Sequence, residues 1–414
     1  MAQVSGLSCL RCGASYPLSH YSSDCDACRA IAPSNLVVDY LATNGQRPAK
    51  GSWGQGGLWR YGDLLPFSKA DLISLGEGGT PLHALNKLGT QAGLSRLFAK
   101  DETRNPTGSF KDRLACMAIS SAKGMGAKVI VSSSSGNAGA AAAAYAAKAD
   151  IPCVVFTFKG STGPMLTQML AYGANVLAVE NKKDRWTLMQ AAVREFGWFP
   201  TSPFFGPAVG SNPLGIEGYK TLAYEIAEQL DWQVPDWCVL PICYGDALVG
   251  MWRGFTEMRA MGWTDRMPRM VAAETYGSLA QALQEESDVP PETGVGRSTQ
   301  AVSIGAAQGT YQALNIVRRS GGVALEIPDE EMLHWKARMA QSEGLYIEMS
   351  SAAAMAAAAR LRASGQIGAH DSVVLLHTAT GLKDAMPAQR ALPMVTPELG
   401  AALEVLKEVY GFSA

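Results

Sequence analysis

Nothing in the sequence is long and apolar enough to cross a bilayer: the longest apolar run, 138–147, is dominated by alanine and falls short of the ~20 residues a span requires. The opening residues, MAQVSGLSCLRC, lack a basic segment followed by an apolar one, so no export signal is read there and the cytoplasm is the expected compartment. Charge is sparse as well. Only 17% of residues are charged, and 35 Lys and Arg against 37 Asp and Glu, mixed along the chain, leave a formal net charge of -2. That balance excludes a polyanion-binding face and an electrostatic membrane anchor, so neither nucleic acid nor membrane is expected as a partner. No internal repeat is visible. A GxGxxG between a first strand and its helix, with an acid ~20 residues on, is also missing, which argues against dinucleotide binding.

What is present is a chain of 414 residues, 47% hydrophobic, enough to bury a large core divided over two or three domains. Short β-branched runs at 128–132, 152–158, 175–179, 238–242, 270–273 and 372–377 alternate with segments of helical period at 111–123, 138–149, 184–196, 218–229 and 350–363. Strand then helix, repeated, predicts an α/β fold with mainly parallel sheets. The soft linker candidates are NGQRPAKGSWGQGG, 44–57, and the Pro, Gly and Ser-containing stretch 288–300.

Eight cysteines divide evenly. Cys116, Cys153, Cys238 and Cys243 are scattered through apolar segments and read as buried thiols. Cys9, Cys12, Cys25 and Cys28 form two CxxC knuckles that can wrap one tetrahedral zinc with four thiolates, a zinc-ribbon-like cap over 1–34. Four thiolates leave no open position for substrate, so the metal's role would be structural. The loop-rich segment would also serve as a cap without metal.

Four strand ends or turns carry chemistry. In ETRNPTGSFKDRLACM, Asn105, Pro106, Thr107 and Gly108 supply a tight turn, Ser109 is placed to cap a helix, and Lys111 falls with Asp112 in its first turn. The positive end of a helix disfavours an ammonium, and a neutral amine is what imine-forming catalysis uses. In VIVSSSSGNAG, Ser134, Ser135 and the amides through Gly136 to Ala138 can cradle a carboxylate while Asn137 bonds a planar cofactor; the same residues also suit a plain turn into a core helix. In CVLPICYGDALVGMW, the turn Tyr244, Gly245, Asp246, Ala247 suits a phosphate held by backbone donors. SVVLLHTATGLKD brings the hydroxyls of Thr378 and Thr380 to a strand's carboxyl end, where open α/β sheets bind ligands.

Six motifs carry a resemblance: GEGGTPL (76–82), NPTGSFKDR (105–113), SSSGNAG (133–139), NPLGIEGYKT (212–221), EGLYIEMSSA (343–352) and GLKD (381–384). Their order resembles the threonine synthases, a branch of the fold-type II pyridoxal 5'-phosphate enzymes in the tryptophan synthase β-like superfamily, and the likeness covers nearly the whole chain. The resemblance implies that Lys111 carries the cofactor and moves the α-proton, and that Asn137 bonds the cofactor's phenolic oxygen. It further implies that Cys243, Tyr244, Gly245, Asp246 and Ala247 form the phosphate loop, and that the Thr378 hydroxyl faces the pyridine nitrogen, which favours elimination chemistry at the β-carbon over transamination. An N-terminal cap, a large cofactor domain (35–100 and 205–414), a smaller α/β domain (101–204) that closes on substrate, and a homodimer follow on the same basis.

The departures point to the substrate. Threonine synthases place Arg and Ser, which help hold the substrate phosphate, where this chain has Gly215 and Gly210, and each lost charge-assisted contact forfeits ~1.5–3 kcal/mol. Ala138 replaces a threonine, Thr380 a histidine, and Asp246 brings a carboxylate to the phosphate loop. A β-eliminating or β-replacing lyase acting on a hydroxy or related amino acid is therefore the first expectation. Authentic threonine synthase with a rebuilt phosphate site is the second, and a catalytically silent relative the third. Tyr219, Tyr244 and Trp252 line a pocket or belong to the core.

Overall fold

The computed structural model describes residues 3–20, 23–42, 45–48, 56–66, 72–384 and 392–411. Its largest sheet has six strands in the order Val323–Glu326, Arg269–Glu274, Trp237–Pro241, Ser372–His377, Arg96–Asp101 and Leu82–Ala84. All pair in parallel except Leu82–Ala84, which runs antiparallel to Arg96–Asp101. The central strands Trp237–Pro241 and Ser372–His377 are buried at every residue because helices cover both faces. Their side chains alternate between two cores: Cys238, Leu240, Val374 and Leu376 enter one, Trp237, Val239, Val373 and Leu375 the other.

A second sheet, entirely parallel, has the order Asn175–Val179, Cys153–Phe158, Ile130–Ser132 and Phe199–Pro200. The first core continues onto it, since Ala140, Ala141, Ala143 and Ala144 of the helix Asn137–Ala149 join Met117 and Ile119 of the helix Lys111–Gly124 in one cluster. The alanine run of this sequence is therefore a close-packing surface between helices. The expected α/β fold with mainly parallel sheets is what the chain adopts.

The N-terminal residues form a three-stranded antiparallel sheet, Ser15–Tyr16, Gln3–Cys9 and Leu36–Ala42. Its small core of Leu7, Cys9, Cys25, Cys28, Leu36 and Val38 also contains Leu214, from the NPLG turn of the main body. Arg253 donates to the Val38 carbonyl at 2.6 Å, the Lys220 ammonium to the Tyr40 hydroxyl at 3.1 Å, and the Arg11 guanidinium lies 3.6 Å from the Tyr311 ring centroid.

The stretch 288–300 is not a linker. Asp288 accepts from Arg11 and Arg318, Arg297 pairs with Glu326, and Thr299 and Gln300 bond Asp329, so its polar residues tie it down on several sides. Most of the other linker candidate, 44–57, lies outside the described residues. Contacts divide the chain into Met1–Asp384 and Ala385–Ala414. The second unit is described as one helix, Leu399–Tyr410. No helix among the described residues is long and apolar enough to cross a membrane.

Candidate active site

Lys111 opens the helix Lys111–Gly124, but the expected Ser109 cap is not made. Phe110 holds the cap position without a side-chain bond, and the Ser109 hydroxyl is buried with no partner. Asp112 closes the turn instead, accepting the Thr107 amide at 2.8 Å and its hydroxyl at 2.7 Å. Burial raises the Asp112 carboxyl to about 7 against these bonds, which lower it. The Lys111 ammonium stands 4.3 Å from the Phe110 ring centroid and 5.7 Å from that of Tyr219, two rings stacked at 5.3 Å. Two strand-like bonds seat this turn on the end of Ser372–His377: Phe110 donates to the Thr378 carbonyl at 2.8 Å, and Thr380 to the Gly108 carbonyl at 3.0 Å. Gly108 has φ +80°, and a Cβ there would lie 2.9 Å from the Thr380 methyl, so only glycine allows this approach.

Arg113, fully buried, anchors the same helix turn. Its guanidinium bonds Glu102 at 2.7 and 2.8 Å and Glu225 at 2.6 and 2.8 Å, and Lys100 pairs with Glu225 at 2.6 Å. Burial alone would raise Glu225, yet Arg113 and Lys100 hold it down at about 2. The lysine's helix is thereby fixed to the strand Arg96–Asp101 and the helix Lys220–Gln229.

Asn137 and Thr378 are brought together by a residue the motif reading passed over. Glu348 accepts the Thr378 hydroxyl at 2.8 Å on one oxygen, and the Asn137 amide at 3.1 Å and the Ser303 hydroxyl at 3.0 Å on the other. Burial raises its carboxyl above the usual range, while the Thr378, Ser303 and Asn137 bonds lower it. The Asn137 carbonyl oxygen, in contrast, is buried without a partner. Glu348 stands in EGLYIEMSSA, so the signal was a motif without an assigned role.

The phosphate-loop candidates join the strand Trp237–Pro241 to the helix Asp246–Ala260 through Gly245, whose φ is +80°. A Cβ at Gly245 would sit 2.6 Å from that of Ala313, leaving room for backbone only. The Asp246 carboxylate is turned to Ser211, whose amide and hydroxyl it accepts at 3.1 and 2.7 Å, and to the Gln312 amide at 2.8 Å. It therefore spends its charge on these donors. Cys243 is half-buried rather than buried like the other three scattered thiols. Burial lifts its thiol to about 11, with Lys111 and Lys182 pulling the other way, so both lysines stand within electrostatic reach of this turn. A helix start with a glycine turn and a nearby lysine fits an anionic cofactor.

Ser134, Ser135, Gly136 and Ala138 form a half-exposed turn between the strand Ile130–Ser132 and the helix beginning at Asn137, amid otherwise buried neighbours. The Gly136 amide donates to the Ser134 hydroxyl at 3.2 Å. Tyr219 and Trp252 belong to the core; Tyr244 is half-buried.

The two positions expected to clamp a substrate phosphate are crowded. A Cβ at Gly215 would meet Leu114 at 3.0 and 3.1 Å and Ala118 at 3.2 Å, and one at Gly210, φ +146°, would meet Gln312 at 2.6 Å and Asp246 at 3.0 Å. At the other end, the sulfurs of Cys9, Cys12, Cys25 and Cys28 lie within 4.8 Å of one another, with Cys9 to Cys28 at 3.9 Å and Cys12 to Cys25 at 3.6 Å. Tetrahedral ligation at a Zn–S length of ~2.3 Å requires sulfurs about 3.8 Å apart, so the donor set fits zinc.

Two mainly parallel sheets place a lysine, an asparagine turn and a glycine turn at strand ends, an arrangement that fits a class of enzyme working through an anionic planar cofactor. Residues 73–379 match the family described as "Pyridoxal-phosphate dependent enzyme", and the chain belongs to it. It is 32% identical to a threonine synthase of Methanosarcina acetivorans over 388 residues, 91% of this chain and 92% of that one. With a threonine synthase of Synechocystis sp. the figures are 35% over 386 residues, 92% and 97%. Among solved structures, maize serine racemase superposes with a TM-score of 0.63 at 20% identity, covering 80% of this chain and 92% of its own, a likeness of fold. The protein is thus a fold-type II, pyridoxal-phosphate-dependent lyase, similar to threonine synthases.

Proposed function

We propose that this enzyme eliminates or replaces a substituent at the β-carbon of an amino acid, with dehydration and deamination of a hydroxy amino acid as the favoured reaction. One observation carries the choice: Gly210 and Gly215 hold no side chain to clamp a terminal phosphate, and a Cβ there would meet Gln312 at 2.6 Å and Leu114 at 3.0 Å. A dianion brought into that cleft would be desolvated without enough partners there.

When bound, pyridoxal phosphate supplies an electron sink for the charge left at the α-carbon. In this proposal Lys111 carries it and, once displaced, takes and returns the α-proton. The turn Cys243, Tyr244, Gly245, Asp246, Ala247 holds its phosphate through backbone donors. Asn137 and Thr378 meet its ring, and Ser134, Ser135, Gly136 and Ala138 receive the substrate carboxylate. Residues 101–204, which include the four-stranded sheet, would be the smaller, closing domain. The four N-terminal cysteines would hold one structural zinc, and a cytoplasmic homodimer is the proposed form.

The threonine synthase reading keeps specific support, because relatives of that name are 31–35% identical over most of the chain. Phosphate release from O-phosphohomoserine, measured beside ammonia and 2-oxo acid formation from threonine, serine and 3-aryl serines, separates the two. Efficient threonine production would replace the first reading by the second.

A further inference from the structure

The loop that enters the helix Asp184–Phe196 exposes Asn181, Lys182, Lys183 and Asp184, yet the next residue, Arg185, is only 7% exposed. Its Nε donates to the Lys182 carbonyl at 2.8 Å and its Nη1 to the Ser133 carbonyl at 3.0 Å, and the guanidinium lies 5.5 Å from the Phe158 ring centroid. Nη2 has no hydrogen-bond partner among the described residues. Other deeply buried cations are paired with carboxylates, Arg113 with Glu102 and Glu225, Lys100 with Glu225 and Lys220 with Glu217, while Lys383 donates to the Gln168 amide oxygen at 2.7 Å. Arg185 has no carboxylate partner among the described residues, and burial lowers its pKa against a smaller opposing influence of the Tyr244 phenol. A cation desolvated without a counter-charge is costly, and its retention points to an anion that arrives from outside.

Its position says where that anion would lie. Ser133 immediately precedes the turn Ser134 to Gly136, Phe158 ends its strand, and Tyr244 belongs to the glycine phosphate turn of the other sheet. The guanidinium therefore stands at the carboxyl ends of two adjacent strands of the smaller sheet, within electrostatic reach of the larger sheet's phosphate turn. Ligands of parallel sheets bind at such ends. Two carbonyls fix the fork, and its unspent N–H groups match a carboxylate or phosphate geometrically.

We propose that Arg185 binds a second anionic group of the amino-acid substrate, beyond its α-carboxylate, so that the enzyme acts on acidic amino acids. The inference rests on the lyase reading: a retained second carboxylate would narrow the β-elimination proposal, and a departing phosphate would turn it into the threonine synthase alternative. The cation missing from position 215 is supplied from the helix of the smaller sheet, and the group it holds is either retained, as in a 3-hydroxy dicarboxylic acid, or departs, as in a phosphate ester.

The test uses the holoenzyme and four probes: 3-hydroxyaspartate, O-phosphohomoserine, serine and threonine. Equilibrium binding, read from the change in the cofactor's visible absorption, is measured beside turnover. Wild type should favour one acidic probe over both neutral ones by roughly tenfold or more, the size of one charge-assisted contact. Which acidic probe wins distinguishes a retained carboxylate from a departing phosphate. Arg185→Gln should raise KM for that probe by a similar factor, change kcat/KM for serine and threonine less than about twofold, and be partly rescued by Arg185→Lys.

Equal handling of neutral and acidic probes by wild type would overturn the assignment even if Arg185→Gln fails to fold, while leaving the lyase reading intact. Loss of affinity for pyridoxal phosphate in Arg185→Gln, without a change in substrate preference, would assign the residue to the cofactor's phosphate and also overturn it. Absence of turnover with any amino acid would count against the lyase reading itself, which the binding measurements do not depend on.

Discussion

The amide and hydroxyl of Thr107 both donate to the carboxylate of Asp112, at 2.8 and 2.7 Å, and so close the turn from which Lys111 projects. Burial outweighs those two bonds and lifts the Asp112 carboxyl from 3.8 to about 7. Between those values the folded chain holds a proton that the unfolded chain has released, so stability falls as pH rises through this window and levels off above it. Asp112→Asn should flatten that part of the stability profile, read from denaturant midpoints between pH 4 and 8. A slope identical to wild type would show that Asp112 titrates normally.

Lys111 should carry the cofactor. Borohydride reduction of the holoenzyme ought to leave the label on the peptide containing Lys111, and Lys111→Ala should abolish the visible absorption band and cut turnover by at least ~10²–10⁴-fold. A label on another lysine would remove it from the centre of the site.

Restoring the threonine synthase arginine should fail. Gly215→Arg drives a side chain against Leu114 and Ala118 and should destabilise the fold by ~1–3 kcal/mol, with no gain in phosphate release from O-phosphohomoserine. A stable, phosphate-releasing variant would mean that the helix Lys111–Gly124 yields easily there.

Metal analysis of protein purified without chelator should find about one zinc per chain, and Cys25→Ser should lose it together with part of the thermal stability. A metal-free preparation of undiminished stability would refute the zinc site.

Much of the fold was legible because its signals are local. The runs 175–179 and 372–377 and the helical segment 184–196 are found with the ends read from the sequence. The strand Arg96–Asp101 escaped notice since RLFAKD does not look like an interior strand; Lys100 is buried there only because Glu225 and Gln229, far along the chain, receive it. Asn137 and Thr378 could be given roles from motifs, whereas Glu348, though it stands in EGLYIEMSSA, could not, because its partners Thr378, Asn137 and Ser303 come from distant parts of the chain. The Ser109 cap did not form because the helix opens one residue later, with Phe110 at the cap position, and Asp112 ties the turn to Thr107. Arg185 was invisible in a run of exposed, charged residues until the fold buried it.

The span that defines the family, 73–379, leaves out an N-terminal sheet whose residues reach into the body. Cut there, the body would turn Leu214 out to water and strip the Tyr40 hydroxyl from the buried pair Glu217 and Lys220, and Arg253 would lose the Val38 carbonyl. What remained would carry an exposed apolar spot and a buried ion cluster without its phenol, with Glu217 and Lys220 left to each other and to Arg253 and Glu257, so shortening the protein to 73–379 should lower its stability and solubility.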